Sequence, residues 1–226
     1  MPIRLDERLS LIANLVDYGE VADVGCDHGK LSYFLVSTDR ASKAIATDIS
    51  APSLKKAREL ALENGVTDVL STRLGDGLSP VSSREVDTVI IAGLGGDVIS
   101  SILAGAREEG KEFAHFLLSP NTHPEKVRAE IVKSGHRIVY DDILTCAGKT
   151  YTVIKTEEGK ESLSDDEIKY GKFFKSNENF KRQLEREIQN KKNILHKNFS
   201  EELKAKVEDL ERLLAGLENY ENKTNN

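Results

Sequence analysis

The chain has 226 residues, 38% hydrophobic and 31% charged, which suits one ordinary domain with a sizeable appendage and excludes a disordered chain. Its two cysteines, Cys26 and Cys146, are too few and too far apart for a disulfide framework or a zinc cluster, so no metal is expected. A net charge of −6 argues mildly against a general nucleic-acid binder, although distribution matters more than the sum.

The amino terminus, MPIRLDERLSLIANLV, carries acids and lacks an apolar signal core. No apolar run is long enough to span a membrane. With so few cysteines, a cytoplasmic location is expected. Aromatic residues make up only 6% and tryptophan is absent, so no stacking platform is obvious.

Residues 1–156 alternate short apolar runs with stretches of helical spacing. The runs fall at Val21–Val24, Ala44–Thr47, Val69–Leu74, Val86–Ala92 and Phe113–Leu118. Between them, Leu31–Val36, Ser53–Asn64, Val98–Arg107 and Pro124–Ser134 read as helices. Pro52 near the start of the second helix and Gly65 just past its end follow the usual asymmetry. Gly110 and Gly135 follow the next two. Such alternation predicts right-handed crossovers and a mostly parallel sheet with helices on both faces. Arg137–Leu144 and Thr150–Thr156 break the rhythm, because a short turn with Ala147 and Gly148 joins them as a hairpin. The predicted class is α/β: a Rossmann-like seven-stranded sheet, mostly parallel, ending in an antiparallel hairpin.

Beyond about residue 160 no strand signal appears. Leu203, Val207, Leu210, Leu214 and Leu217 alternate four and three apart, the spacing of a coiled-coil seam. Ser200 with Glu201 and Glu202 starts that helix. Phe173, Phe180, Leu184, Ile188 and Leu195 form a looser stripe upstream, and Lys197–Ser200 separates the two. The prediction is an all-α antiparallel coiled-coil hairpin joined through Glu157–Ser162, with a frayed tail at Asn222–Asn226. The two domains are then 1–160 and 161–226. Residues 169–197 hold nine Lys/Arg against three acids, a net +6, and residues 198–226 carry −3. Two mutually attracting helix faces explain this, and so does a basic arm that follows a phosphate backbone.

Five strand ends carry polar or glycine-rich loops. Asp23-Val24-Gly25-Cys26-Asp27-His28-Gly29 follows the first strand. An acid at Asp27 repels a pyrophosphate and suits a cationic ligand, such as a sulfonium or an ammonium; an ordinary tight turn is the plainer reading. Asp48 closes the second strand and is placed to accept from both hydroxyls of a ribose. Capping the next helix is its alternative role, which Ser50 can fill. Gly75-Asp76-Gly77 ends the third strand, where an acid can accept an adenine's amine or merely turn the chain. Ala92-Gly93-Leu94-Gly95-Gly96 ends the fourth and lets a flat ligand lie against backbone; without a following Lys-Ser/Thr pair it is no P-loop. Ser119-Pro120-Asn121 ends the fifth, where Asn121 offers a donor and an acceptor. All five lie on one edge of an open sheet, where such folds bind ligands.

These motifs resemble those of class I S-adenosylmethionine-dependent methyltransferases, and more closely those of the bacterial tRNA (adenine-22-N1)-methyltransferases, the TrmK family. Leu5-Asp6-Glu7-Arg8-Leu9 and the helical appendage match that family's layout, so the resemblance covers essentially the whole chain. It implies S-adenosyl-L-methionine as methyl donor, S-adenosyl-L-homocysteine as product and tRNA as partner, without a metal. Implied donor positions are Asp23, Gly25, Cys26, Asp27 and Gly29; Asp48 and Ile49; Gly75, Asp76 and Gly77; and Ala92, Gly93, Leu94, Gly95 and Gly96. Two departures from the broader superfamily stand out. Asp27 occupies a usual glycine position. The Asn/Asp-Pro-Pro-aromatic motif of amino-methylating enzymes is absent after the fourth strand, which fits a ring-nitrogen target.

Adenine N1 has an in-plane lone pair, so no strong general base is needed. Alignment can supply roughly 7–11 kcal/mol, and a carboxylate or carbonyl can stabilise positive charge on the ring. Asp27 and Asn121 are the catalytic candidates, although Asp27 can instead hold the donor's ammonium. His28 orients Asp27, contacts the base or is structural, and Cys26 is a packing residue. The base must leave its stack or be met unpaired. Residues 1–156 hold 18 basic and 22 acidic side chains, so tRNA attachment falls to Arg4, Arg8, Lys169, Lys172, Lys181, Arg182 and Arg186. A monomer is expected, with a dimer through the helices left open. Two alternatives stand beside this. A methyltransferase acting on a small molecule or protein would not need the basic arm. A non-catalytic RNA-binding protein with a vestigial pocket would not bind the donor.

Overall fold

The computed structural model describes residues 3–146 and 148–224. Helix α1 (Glu7–Leu15) opens at Asp6, whose side chain accepts from the Leu9 N–H at 2.7 Å. Then follow β1 (Glu20–Val24), α2 (Lys30–Ser37), β2 (Lys43–Asp48), α3 (Ala51–Glu63), β3 (Leu70–Leu74), β4 (Thr88–Ala92), α4 (Gly96–Glu108), β5 (His115–Ser119) and α5 (Pro124–Lys133). Strands β4 and β5 begin two residues later than the apolar runs. Val86 and Phe113 are core side chains on the approach to each strand rather than members of the ladder.

The hairpin of β6 (His136–Cys146) and β7 (Lys149–Glu158) forms as expected, with Gly148 at a φ of 76° in its turn. Ala147, expected in that turn, lies outside the described residues. Strand order is β3-β2-β1-β4-β5-β7-β6, parallel through β5 and antiparallel after it. Val89, Ile90 and Ile91 are fully buried because helices cover both faces. One face packs Ile99, Leu103, Val127 and Ile131; the other packs Ile12, Leu31, Leu35 and Leu54.

The helical part begins with an element that periodicity does not reveal. Helix α6 (Asp165–Tyr170) is too short for a stripe; its signal is the capping box of Ser164 and Glu167. A 3-10 turn at Phe174–Ser176 follows, then α7 (Glu178–Lys197) and α8 (Glu201–Thr224). Within the expected stripe, Phe173 is a misplacement: it is 38% exposed, whereas Phe174 is 3% exposed. The 3-10 turn rotates Phe174 inward, onto Tyr170 and Phe180. Leu210, Leu214 and Leu217 pack on Phe180, Leu184 and Ile188. Ser200 caps α8 through the Leu203 N–H at 3.3 Å. Helix α8 runs on to Thr224, past Asn222, where the frayed tail was expected to begin. Residues 225 and 226 lie outside the described ones.

A buried ion pair joins the two parts. Arg128 of α5 bonds both carboxylate oxygens of Asp141 on β6, at 2.8 and 3.0 Å. Arg128 also donates to the Ile168 carbonyl of α6, and Asp141 accepts from the Lys172 N–H. Such a pair is satisfied only while all these partners stay in place. Among the described residues, no helix is long and apolar enough to cross a membrane.

Candidate active site

The strand order reverses between β1 and β4, and this opens a crevice at the carboxyl ends of the strands. The loop after β1 is held from below: the N–H groups of Gly25 and Cys26 both donate to the Thr47 carbonyl, at 2.8 and 3.0 Å. Gly29 has a φ of 68°, and a Cβ there would stand 2.7 Å from that of Ala57, so the loop sits tightly on α3. Asp27 is also left-handed, with a φ of 52°. Aspartate tolerates that conformation better than most residues, which is how this chain dispenses with glycine here. Its carboxylate is 77% exposed and lies 3.4 Å from His28 Nε2.

Asp48 ties this loop to β2. Its Oδ2 accepts from the Asp27 N–H at 3.1 Å and its Oδ1 from the Ser50 N–H at 2.8 Å. Each oxygen keeps a further lone pair. Ser50, not Asp48, caps α3, accepting from the Ser53 N–H. Ile49 beside it is 73% exposed, an apolar side chain standing open at the rim. After β3, Asp76 and Gly77 border a cavity of about 470 Å³, with Asp97, Val98 and Ile102 on its other side. Arg73 anchors this loop through two bonds to Glu85 and one to the Pro80 carbonyl. The Arg73 guanidinium and the Ser82 N–H bring the Glu85 carboxyl down to about 2.

The opposite wall is assembled from distant segments. Leu94 lies over Gly25, 3.4 Å from where a Cβ would stand. Asn121 donates its backbone N–H to the Leu94 carbonyl at 2.8 Å and its Nδ2 to the Gly93 carbonyl at 2.5 Å. That leaves its Oδ1 facing Arg8 of α1, whose Nη1 is 3.4 Å away. The Arg8 guanidinium lies over the ring of Tyr151 on β7, 4.9 Å from the centroid. No local motif marks Tyr151; only the fold brings it here.

Three expected donor positions have their side chains, or the place of a Cβ, turned into the packing. Asp23 is 4% exposed, accepts from Ser32 Oγ at 2.6 Å and is pushed by burial up to about 6. It lies beneath the loop and holds α2 to β1. The Cys26 side chain is buried, and burial pushes its thiol far above the usual range, which suits packing. Gly96 is buried under the loop after β5: a Cβ there would stand 2.3 Å from the His123 carbonyl oxygen. The catalytic candidates also divide. Asn121 joins Gly93 and Arg8, whereas His28 lies beside Asp27 and 3.0 Å from Lys56 Nζ on α3.

Residues 5–154 match the family model described as a methyltransferase domain. The curated tRNA (adenine(22)-N(1))-methyltransferase of Bacillus subtilis (strain 168) is 33% identical over 169 residues, 74% of this chain and 70% of that protein. The solved B. subtilis M1A22 tRNA methyltransferase TrmK superposes with a TM-score of 0.77 at 28% identity, over 96% of this chain and 98% of that one. M. capricolum TrmK, in complex with its natural cofactor product S-adenosyl-homocysteine, gives 0.77 at 27%, over 96% and 97%. The chain belongs to the TrmK family.

This TrmK-family chain also carries a cleft that starts at the rim. It begins at Pro120 and Asn121 and runs between the hairpin residues Ile143 and Thr150 and Gln183 of α7. A second cavity of about 800 Å³ adjoins it, sharing Ile143, Thr150, Gln183 and Glu187, and is lined by Arg182, Arg186 and Lys191. Of the residues expected to meet nucleic acid, Arg182 and Arg186 line this cleft, and Lys169 stands at its rim-side end, over the Tyr170 ring. Arg4 is exposed ahead of α1, and Lys181 lies on α7. Lys172 does not fit the expectation. Its ammonium is held by Glu161 and by the Ile138 carbonyl, so it braces the joint between sheet and helices. Lys192 bonds Glu211 across the two long helices at 2.5 Å, so part of the charge asymmetry serves their pairing.

Proposed function

We propose that this protein transfers a methyl group from S-adenosyl-L-methionine to N1 of adenine 22 in tRNA, as a cytoplasmic monomer. The observation that carries this reading is continuity: the rim built around Asp48 and the 25–29 loop meets the basic-lined cleft at Asn121.

The residues present fit the donor. The free lone pairs of Asp48 suit a ribose diol, the exposed Ile49 and Val98 suit the faces of an adenine, and Asp76 suits its amine. Gly75, Gly77 and Gly95 let the strand-end loops pack closely against Pro80, Ile102 and Thr122, and these with Ala92 and Gly93 are the backbone positions this reading sets along the donor. Asp27, exposed and anionic, suits the ammonium of the methionine moiety. The donor supplies a methyl group already activated by its sulfonium. What remains for the chain is placement. Asn121, fixed by its bonds to Gly93 and Leu94, presents Oδ1 where the exocyclic amine of an adenine can donate. That bond orients N1 and favours positive charge on the ring. His28 is a positioning residue for Asp27.

Residues 161–226 form the tRNA-contacting domain in this reading, with Arg182 and Arg186 on the phosphate backbone. Replacing both by alanine is expected to weaken tRNA binding and lower its salt slope by about two, while donor affinity holds. A small-molecule methyltransferase would not respond so. The main experiment is incubation with labelled donor and unmodified tRNA transcripts, then mass mapping of the nucleoside. Label at position 22 as 1-methyladenosine, and none in a transcript with guanine there, is the expected result. Label elsewhere, or none with donor bound, overturns the reading.

A further inference from the structure

We propose that the ring of Tyr151 carries the acceptor adenine and part of the positive charge formed on it, in the place now filled by the Arg8 guanidinium. This deepens the proposed function and rests on it.

The guanidinium is a planar cation, and its surroundings are chosen for one. Tyr151 offers the negative face of its ring at 4.9 Å. Asn121 offers a carbonyl oxygen at 3.4 Å, and its amide nitrogen is committed to the Gly93 carbonyl. Gly93 offers bare backbone: a Cβ there would stand 3.6 Å from both terminal nitrogens, so the guanidinium lies flat against this glycine. The slot thus presents an acceptor and a π face towards a flat, positively charged group with N–H donors.

The product of the transfer is such a group. The N1 lone pair forms the new bond to the methyl carbon, and the carbon–sulfur pair leaves with sulfur as a neutral thioether. The positive charge therefore moves onto the purine, whose amine hydrogens become stronger donors. A slot that prefers a planar cation binds the charged purine more tightly than the neutral one. Only such differential binding accelerates the chemical step. Tyr151 sits opposite Leu144 in the hairpin ladder, and strand alternation turns its ring towards α1 while its neighbours Thr150 and Thr152 face the cleft along α7, so the ring stands on the α1 side of the rim, with Asn121 between it and the cleft.

The test keeps the ring's shape and changes its charge distribution. Tyr151 is replaced in the full-length protein by phenylalanine and by mono-, di- and trifluorinated phenylalanines. Single-turnover methylation of a tRNA transcript is then measured alongside donor and tRNA affinity. Tyr151→Phe should stay within about threefold of the wild type, and the rate should fall with each fluorine to about tenfold at the third. Donor affinity should be constant across the series, which also shows that each variant is folded. A flat series overturns the inference. Wild-type protein that binds donor but leaves the transcript unmethylated overturns the tRNA reading instead.

Discussion

The two walls of the rim are made of different materials. The wall formed by the 25–29 loop, Asp48 and Gly75–Gly77 consists of strand-end turns, each short, local and stitched by backbone bonds. The facing wall is a meeting of three side chains, Asn121, Arg8 and Tyr151, with the backbone of Gly93, from four remote segments. The first wall is suited to a ligand of constant shape. The second can change with the acceptor while the fold stays the same.

Breaking each wall separately sharpens this contrast. Asn121→Ala should remove acceptor alignment and lower the single-turnover rate about 100-fold, with donor affinity nearly unchanged; an unaffected rate would place the chemistry elsewhere. Asp48→Ala should do the reverse and weaken donor binding by about 1–3 kcal/mol in calorimetry. Unchanged donor affinity would remove Asp48 from the site.

Two further substitutions probe the support beneath the first wall. The folded-state pKa of Asp23, raised to about 6, lies above its ordinary 3.8, so folding stability falls as pH rises between these values and stays low above them. Asp23→Asn, which cannot ionise, should therefore stabilise the fold at pH 7 by about 1–3 kcal/mol. The gain should vanish below pH 4, and a pH-independent difference in denaturant midpoint would contradict it. The smallest effect is expected at Asp27, where glycine relieves the positive φ. Asp27→Gly should hold or raise the melting temperature, by less than about 1 kcal/mol in stability, while donor affinity falls. An unchanged affinity would reduce Asp27 to a turn residue.

The contrast between the walls also sets how much was legible beforehand. The first wall follows from residue types within a few positions: glycines where the chain must turn and an acid at a strand end. The parallel strands and the closing hairpin are equally local in their signals. Tyr151 carried no such signal, because nothing near it in the chain announces that β7 will lie beside β5 and face α1. At Asp23, Cys26 and Gly96 the side chain, or the place of a Cβ, is turned into the packing, since a motif places a residue near a site without saying which way its side chain points. Phe173 and Phe174 are adjacent, and only the 3-10 turn decides which is buried. Lys172 belongs to the basic count by composition, but Glu161, eleven residues earlier, neutralises it in the fold.

The Arg128–Asp141 pair has a consequence for engineering. It is locked by a carbonyl from α6 and an N–H from Lys172, and it sits on the same helix that starts directly after the Asn121 loop. A chimaera that borrows only the long helices of a relative would thread a foreign linker through this knot and strand a charge in the interior. A graft of the helical part must therefore carry α5 and β6 along with it, so the two parts of the chain are inherited as a block rather than as detachable modules.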